Sequence, residues 1–512
     1  MIKPYSRKDV ENIYGDLIRS AYKNYAKQRY HEALKDIIAA SNWAYCFNHI
    51  YTDPSVENLV KLISESKVKG IEIKSPKGNR CVLIDSFLLD NRGLSQQYFR
   101  AMMALGMEIL VVYTNRGGIV GKDLLKEIKE YNKATILLFP KNIDAFEQTR
   151  MIVDHIEEFM PTHLFFHLTP WDVVALMASH AINGVKKYNI NLTDHAYWMG
   201  ASFIDYNLEF RPYGMTVSLE KRGLKKEQLL ALPYYPVTPL STEFCCFPDI
   251  PNDAVKVFTG GALYKILGKN GFFFHIMERI LSISPSVYIL VAGFDKEARF
   301  DKGIENIQGK ERIVQIGVRK DIDEVFDHID IYLSTYPMIG GLMTQYAAKH
   351  GKPIVAYHDK GDAMNTVEEI VNYYQHEFKS FTDLDLMTAY AEKLIKDIKF
   401  RENEGRVLQK GMMNKERFNA EFSNIIQNHM SSFCWAMDSI DYDSFFDRYL
   451  DLENNNGYSA TMSLIRNQKL GFFTKIDGFN KKIGIAKYAV RNISPRNFFQ
   501  GLLNRFLYIF RK

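Results

Sequence analysis

The chain has 512 residues, of which 46% are hydrophobic and 24% charged, and this composition is typical of a soluble globular protein. It excludes a disordered, collagen-like or coiled-coil chain, and the length predicts about two to four domains, each with its own core. The formal charge of +5 is unevenly distributed. Residues 465–512 hold eleven Lys or Arg and one acid, a charge of +10, so the preceding residues carry −5.

The cysteines and the chain ends set expectations about the compartment. The five cysteines form no Cys-x-x-Cys pair, which argues against a disulfide framework and against a zinc site. The N-terminus is charged and lacks an apolar stretch, so no signal peptide is expected. No run approaches the roughly 18 apolar residues of a membrane span. We therefore expect reduced thiols and a cytoplasmic protein.

Residues 1–78 are predicted to form a helical N-terminal region. Apolar residues recur there at helical spacing, and Asp53-Pro54-Ser55 is typical of a helix start. From residue 79 onward, short apolar runs alternate with helical stretches, which is the pattern of a parallel sheet covered on both faces. The predicted strands of this first series are 81–85, 108–113, 134–139 and 163–167.

A second series of strands and helices begins near Ala254. The proline-rich segment 232–239 joins the two series and suits an interdomain linker, because proline interrupts a central strand. The expected fold class is α/β, with two Rossmann-like domains at 79–240 and 241–430 that face a cleft. A helical C-terminal tail follows at 431–512. The predicted strands of the second series are 255–259, 287–292, 313–316, 329–334 and 353–357.

Two glycine loops follow strands of the second series, where ligands bind to parallel sheets. The first holds Gly260 and Gly261, with Lys265 behind them. Glycine lets backbone approach a ligand closely, and a nearby lysine can neutralise a phosphate, although the spacing is not that of a P-loop. The second loop holds Gly340 and Gly341 and leads into a helix, whose N-terminal N–H groups suit a diphosphate.

A third loop, in the first domain, carries His195. Histidine has a pKa suited to general-base work or to hydrogen bonding a phosphate or hydroxyl. Asp194 precedes it, but neighbouring residues on a strand point to opposite faces, so Asp194 is not required to orient His195.

These three loops, in this order, resemble a GT-B glycosyltransferase, in particular the catalytic region of O-GlcNAc transferase and of bacterial cytoplasmic N-glycosyltransferases. Leu263-Tyr264-Lys265-Ile266 is similar to the family's Leu-Tyr-Lys-Ile, whose lysine contacts the nucleotide diphosphate. Residues 337–344 resemble its Pro-x-x-x-Gly-x-x-Thr, in which Gly341 and Thr344 match. The sequence departs from the family at Leu342, where the family has His, and at Ala347, where it has a ribose-binding Asp.

The resemblance, which covers roughly residues 80 to 425, implies further site residues. Val318 and Arg319 lie near where the family holds the base of the nucleotide. On the acceptor side, His195 and the Asp205 segment resemble the family's His-Pro segment ahead of Ile-Asp-Tyr, without its Pro. Asn91 and Arg92 stand where the family has a His-containing acceptor loop, with Arg92 in place of the His. His167 is a further acceptor-side candidate.

The chemistry implied is transfer of a sugar, hexosyl or N-acetylhexosaminyl, from a nucleoside diphosphate sugar, expected to be UDP-linked. His195 is the first candidate base, with His167 or Asp194 in reserve, and Lys265 is the group that stabilises the leaving diphosphate. No metal is expected, because Asp321-Ile322-Asp323 opens a helix and suits capping better than metal binding. The commonest retaining GT-B enzymes carry two Glu, eight residues apart, around the second glycine loop. No Glu lies between Tyr336 and Lys349 here, so the resemblance favours inversion over retention of the sugar's configuration.

Several alternatives stay open at this point. The chain can instead be a non-catalytic GT-B partner subunit or a sugar-nucleotide epimerase of the same fold. The acceptor is a protein or a lipid-linked glycan. Aromatic residues interleave with the cations of 465–512, a pattern that is also found in segments that bind nucleic acid. The resemblance to a glycosyltransferase makes an anionic membrane surface, on the inner membrane face, the better fit; a basic helix packed on the acidic body is the alternative.

Overall fold

The computed structural model describes residues 5–91, 93–238, 243–371, 380–454 and 459–466. The predictions for Arg92 and for residues 467–512 lie outside these described residues. Within them, no helix combines the length and apolar character needed to cross a bilayer.

The chain begins with three helices. Asp53 caps the third by accepting hydrogen bonds from the N–H groups of Ser55 and Val56, and Pro54 occupies its first turn, as the sequence predicts. The helices enclose Trp43, which is fully buried and donates its indole N–H to the carbonyl of Val10. These helices are α1 (Arg7–Ala26), α2 (Tyr30–Phe47) and α3 (Pro54–Lys67).

The first α/β unit contains a parallel seven-stranded sheet in the order β4-β3-β2-β5-β7-β8-β9. Apolar cores cover both of its faces, which explains the uninterrupted apolar runs of β2 and β3. A two-stranded pair, β1-β6, lies beside it. The strands are β1 (Ile71–Glu72), β2 (Arg80–Asp85), β3 (Glu108–Tyr113), β4 (Ala134–Leu137), β5 (His163–His167), β6 (Ile182–Asn183), β7 (Lys186–Ile190), β8 (Tyr206–Glu209) and β9 (Leu229–Ala231). The helices are α4 (Ser95–Ala104), α5 (Lys122–Glu130), α6 (Ala145–Phe159), α7 (Val173–Ala181) and α8 (Pro212–Lys221).

Three strands of this sheet, β7, β8 and β9, are not predicted from the sequence. β7 and β8 are paired on both sides, yet they carry polar side chains instead of an apolar run. Asn189 donates a 2.7 Å hydrogen bond to the side chain of Asn207 on the neighbouring strand, and Asn207 bonds the carboxylate of Glu209. This internal polar network satisfies the buried groups, so the strands need no apolar pattern.

The second α/β unit contains a parallel five-stranded sheet in the order β12-β11-β10-β13-β14. All five strands coincide with predicted ones within a few residues. They are β10 (Val255–Gly260), β11 (Val287–Ala292), β12 (Ile313–Gly317), β13 (Ile331–Leu333) and β14 (Ile354–Val355). The helices up to residue 411 are α9 (Phe272–Leu281), α10 (Ala298–Ile304), α11 (Ile322–Asp327), α12 (Gly341–Lys349), α13 (Glu368–Val371), α14 (Leu384–Lys396) and α15 (Ile398–Gly411).

The chain then returns to the first unit. Helix α16 (Lys415–Asn428) packs on α4, where the rings of Phe418 and Phe422 lie 5.3 and 5.8 Å from Tyr98. Two further helices, α17 (Tyr442–Leu452) and α18 (Ser459–Arg466), pack against α2. The α/β fold class with two parallel sheets is confirmed, whereas the domain boundaries after residues 78, 240 and 430 stay predictions.

Candidate functional site

Two glycine loops meet at the carboxyl edge of the second sheet. β10 ends in Gly260, and its neighbour β13 leads into the loop that holds Gly340. A Cβ built on Gly340 would lie 3.4 Å from the carbonyl oxygen of Gly260, and a side chain on Gly293 would collide with the backbone of Gly261. The predicted donor-binding glycines are therefore close together, and the contact that requires a glycine is the one between Gly293 and the backbone of Gly261.

Lys265 projects between the same two loops. Its ammonium donates a 2.8 Å hydrogen bond to the carbonyl of Ile339. Burial lowers the pKa of this ammonium to about 8, and no acid in the described residues offsets that burial. A cation that is partly buried without an acidic partner is arranged to receive an anion.

The start of α12 lies in the second glycine loop. Gly340 is its N-cap residue and has no side chain to cap the helix, so the first N–H groups of the helix keep their hydrogen-bonding capacity. Ile339 N–H, by contrast, donates to the side chain of Asn365 at 2.8 Å. Thr344 is fully buried, and its hydroxyl donates back to the carbonyl of Gly340 at 3.1 Å. Gly341 therefore offers backbone to a ligand, while Thr344 holds the helix start in shape.

The two residues predicted to lie near the nucleotide base, Val318 and Arg319, differ in their exposure. Val318 is 62% exposed at the carboxyl edge of β12. Arg319 is held inside the protein, where it pairs with Asp321 at 2.5 Å and lies over the rings of Phe244 and Phe247. Val318 is thus the member of the pair that remains available to a base.

The Asp-x-Asp pattern at 321–323 is fully occupied by protein groups. Asp321 stands at the N-cap position of α11, but its side chain makes no capping bond; it pairs with Arg319 and accepts the N–H of Cys245. Asp323 pairs with Lys349 at 2.8 Å and with His350 at 2.8 Å. The expected capping role is corrected here, because the stronger cationic partner takes the carboxylate.

His195 lies in the turn that follows β7, at the carboxyl edge of the first sheet. Its Nδ1 is 3.2 Å from the carboxylate of Asp194, and its side chain is 29% exposed. The expectation that Asp194 need not orient His195 assumed a strand, and it fails because the two residues occupy a turn. Arg211 holds the same carboxylate through Nε and Nη2. Burial alone would raise the pKa of Asp194, but Arg211 and His195 hold it at about 2.

His167 ends β5 on the same edge but is fully buried. Its Nδ1 lies 3.0 Å from Asp85, whose pKa burial would raise but the His167 ring holds below its usual range. The Nε2 atom has no hydrogen-bond partner among the described residues. A Cβ on Gly93 would lie 3.4 Å from the His167 ring, so the loop that begins at Asn91 covers this histidine.

Asp205 lies apart from these residues. It precedes β8, at the amino end of the strand, and its carboxylate accepts the N–H of Lys187 at 2.8 Å. Ligands of parallel sheets bind at the carboxyl ends of the strands, the edge opposite to Asp205. The structure therefore does not bring Asp205 to His195.

Tyr449, a residue that the sequence did not suggest, lies near both His195 of the first unit and Tyr264 of the second. The ring of Tyr449, on α17, lies 6.4 Å from that of His195 at an angle of 24°. Burial raises the pKa of Tyr449 above its usual range, and the neighbouring phenols of Tyr45 and of Tyr264, beside Lys265, raise it further. The other unpredicted member is Arg211, whose only sequence signal is its place directly before the proline that opens α8.

The comparisons with known proteins bear on the fold. No protein-family model and no curated protein matches the sequence. A mutant of the O-GlcNAc transferase of Thermobaculum terrenum superposes at a TM-score of 0.52 and 14% identity, over 87% of this chain and 82% of that one. A glycosyltransferase from Rickettsia africae superposes at a TM-score of 0.50 and 13% identity, over 69% of this chain and 100% of that one. Two parallel α/β units with such structural relatives identify the fold of this chain as GT-B.

Proposed function

We propose that the chain is a glycosyltransferase that uses a nucleoside diphosphate sugar, with UDP as the nucleotide. The observation that carries this proposal is Lys265, a cation without an acidic partner among the described residues, beside the uncapped start of α12. A leaving diphosphate needs positive charge, and both features supply it. The structural likeness to an O-GlcNAc transferase supports the same chemistry.

His195 is proposed to take the proton from the acceptor as the sugar is transferred. When Nδ1–H donates to Asp194, Nε2 carries the lone pair that accepts the proton. Arg211 fixes the carboxylate and so fixes the ring. A base on the acceptor is what an inverting transfer requires. Lys265 would bind the diphosphate as it leaves with the bonding electron pair.

The proposed reaction is independent of a metal ion. Both carboxylates of Asp321 and Asp323 are already paired with protein cations, so neither is free to hold a divalent ion. Lys265 and the α12 N–H groups take the place that a metal has in other sugar transferases. Transfer is expected to be unchanged by EDTA.

The test begins with the donor. Calorimetry with UDP and a panel of UDP-sugars is expected to show binding, and a UDP-release assay is expected to show turnover when host extract supplies the acceptor. Lys265→Gln should weaken UDP binding. The matched control is Lys269→Gln, because Lys269 already pairs with Asp359 at 3.2 Å. Failure to bind any nucleotide would refute the transferase and leave the partner-subunit reading. Turnover without an acceptor that yields an isomerised UDP-sugar would establish the epimerase instead.

Binding to an anionic membrane through residues 465–512 remains a prediction, and all of this segment after residue 466 lies outside the described residues. Sedimentation with vesicles that contain an anionic lipid tests it on the full chain and on a chain ending at residue 464. Equal sedimentation of the two would exclude the tail as an anchor. Incubation with host membranes and a labelled sugar donor tests the acceptor. Label in soluble protein but not in the lipid fraction would exclude a membrane-held acceptor.

A further inference from the structure

Helix α17 forms a third wall of the cleft, in addition to the two α/β units. Arg7 of the N-terminal region pairs with Asp443 at 2.8 Å and Asp447 at 2.8 Å on its outer side. Phe446 belongs to the apolar core of the N-terminal helices. On the same helix, the hydroxyl of Tyr442 donates to Glu220 at 2.7 Å. The helix is therefore anchored to two separate parts of the protein.

The inner side of α17 contacts both α/β units. Phe445 lies 6.0 Å from the ring of Tyr213 in the first unit. Arg448, whose side chain is only 5% exposed, pairs with Asp362 of the second unit at 2.6 Å. One pocket is lined by residues of all three parts, including Tyr213, Asp362, Phe445 and Arg448. The helix thus packs between the two α/β units.

Tyr449 is the residue of this helix that faces the candidate base. Its ring lies beside His195, and its phenol lies near Tyr264, which precedes Lys265 after the first glycine loop. The hydroxyl is buried and has no hydrogen-bond partner among the described residues. Burying a hydroxyl without a partner costs about 1–3 kcal/mol, so such a group in a cleft indicates that a ligand completes its hydrogen bonds.

The charges around Tyr449 restrict the ligand. Arg211 is neutralised by Asp194, and Arg448 is neutralised by Asp362. Neither guanidinium therefore brings an unbalanced positive charge to this wall, so an anionic acceptor would lack a counter-charge there. The buried Nε and Nη1 of Arg448 have no hydrogen-bond partner among the described residues, and they suit the oxygen atoms of an uncharged ligand. An uncharged ligand with several hydroxyls suits paired ions, aromatic rings and an unpartnered phenol, because it can donate and accept hydrogen bonds at once.

We propose that α17 completes the acceptor site, and that Tyr449 hydrogen-bonds a hydroxyl of a neutral saccharide acceptor held beside His195. This inference rests on the proposed glycosyl transfer and specifies its acceptor class. Tyr449 is then a specificity-determining residue: it positions the acceptor hydroxyl whose proton His195 removes.

The experiment uses the full chain, the donor found by calorimetry and two sets of acceptor probes. One set contains methyl hexopyranosides and methyl N-acetylhexosaminides, and the other contains peptides with Ser or Asn. Transfer to a methyl glycoside is expected. Tyr449→Phe should raise the KM for that glycoside on the order of tenfold, with the Kd for UDP unchanged. Tyr442→Phe, on the same helix, should change neither.

Thermal unfolding separates a ligand contact from a structural role. Because the Tyr449 hydroxyl has no hydrogen-bond partner in the part of the chain that the structure describes, Tyr449→Phe should have a Tm equal to or above that of the unsubstituted chain. A lower Tm, an unchanged KM, or transfer to peptides but to no glycoside would each overturn the proposal. These outcomes all presuppose UDP binding, whereas a loss of all nucleotide binding would refute the transferase itself.

Discussion

The ammonium of Lys265 donates a 2.8 Å hydrogen bond to the carbonyl of Ile339, and this contact joins the loop after β10 to the loop after β13. The neutral carbonyl is a weak partner for a cation. A bound diphosphate would replace or join it as the stronger partner. The contact therefore holds the lysine in position before the donor binds.

Diphosphate affinity should fall as the pH rises through about 8. Burial lowers the pKa of Lys265 to about 8, so the free protein loses this charge above that pH, whereas the complex favours the charged form. Calorimetric titration of UDP between pH 6.5 and pH 9.5 checks this, and proton uptake should accompany binding near pH 8. Lys265→Gln should weaken UDP binding roughly 10- to 100-fold, the loss of one charge-assisted hydrogen bond, and flatten the pH dependence. A pH profile that Lys265→Gln leaves unaltered would contradict this assignment.

His195→Asn should lower the rate of sugar transfer by a factor on the order of 10² to 10⁴, the usual contribution of a general base. UDP binding should stay within about twofold, because His195 lies on the first unit and Lys265 on the second. Initial rates and calorimetry on one preparation measure both quantities. His167→Asn is the informative comparison, since His167 is fully buried beneath the loop of Asn91. If His167→Asn abolishes transfer while the fold is retained and His195→Asn does not, the base is His167.

The glycine loops could be predicted because their strands are unmistakable in the sequence. β10 and β13 are short apolar runs followed by glycines, and parallel strands place such loops at one edge. β7 and β8 could not be predicted in the same way, since Asn189 and Asn207 satisfy each other inside the sheet and leave no apolar pattern.

The part played by α17 is equally invisible in the sequence. Helical spacing predicts a helix but does not tell which surface covers it. Its position depends on Arg7 meeting Asp443 and on Arg448 meeting Asp362, contacts between residues far apart in the chain. Such pairings are set by tertiary packing, and the sequence pattern contains no signal for them.

The pair of Asp194 and Arg211 should make the protein sensitive to acid. The pKa of Asp194 is about 2 in the folded chain against an ordinary value of 3.8, so its ionised form stabilises the fold at pH values above 4. That contribution, about 2 kcal/mol, is lost as the pH falls from 4 toward 2. Asp194→Asn should remove this part of the acid transition and destabilise the fold by about 3–5 kcal/mol at pH 7, because Arg211 is left buried without its partner. Urea unfolding at several pH values measures both effects.

Asp154→Asn serves as the matched control, since Asp154 is exposed on α6. It should change the free energy of unfolding by less than about 0.5 kcal/mol at any pH. An acid transition of Asp194→Asn identical to that of the unsubstituted chain would show that Asp194 is not the group that titrates.

Gly293→Ala should disrupt the donor site. Gly293 has a φ of +109°, and a Cβ there would collide with the backbone of Gly261. Gly223→Ala is the control, because Gly223 has a φ of +68° but no atom within 4 Å of the new Cβ. The control should lose about 1–2 kcal/mol of unfolding free energy from backbone strain alone. Gly293→Ala should lose roughly 3–5 kcal/mol and also weaken UDP binding, since the collision displaces the loop that leads to Lys265. Urea unfolding and calorimetry on both variants measure these effects. If the two variants lose equal unfolding free energy and both bind UDP normally, the approach of Gly293 to Gly261 does not shape the donor site.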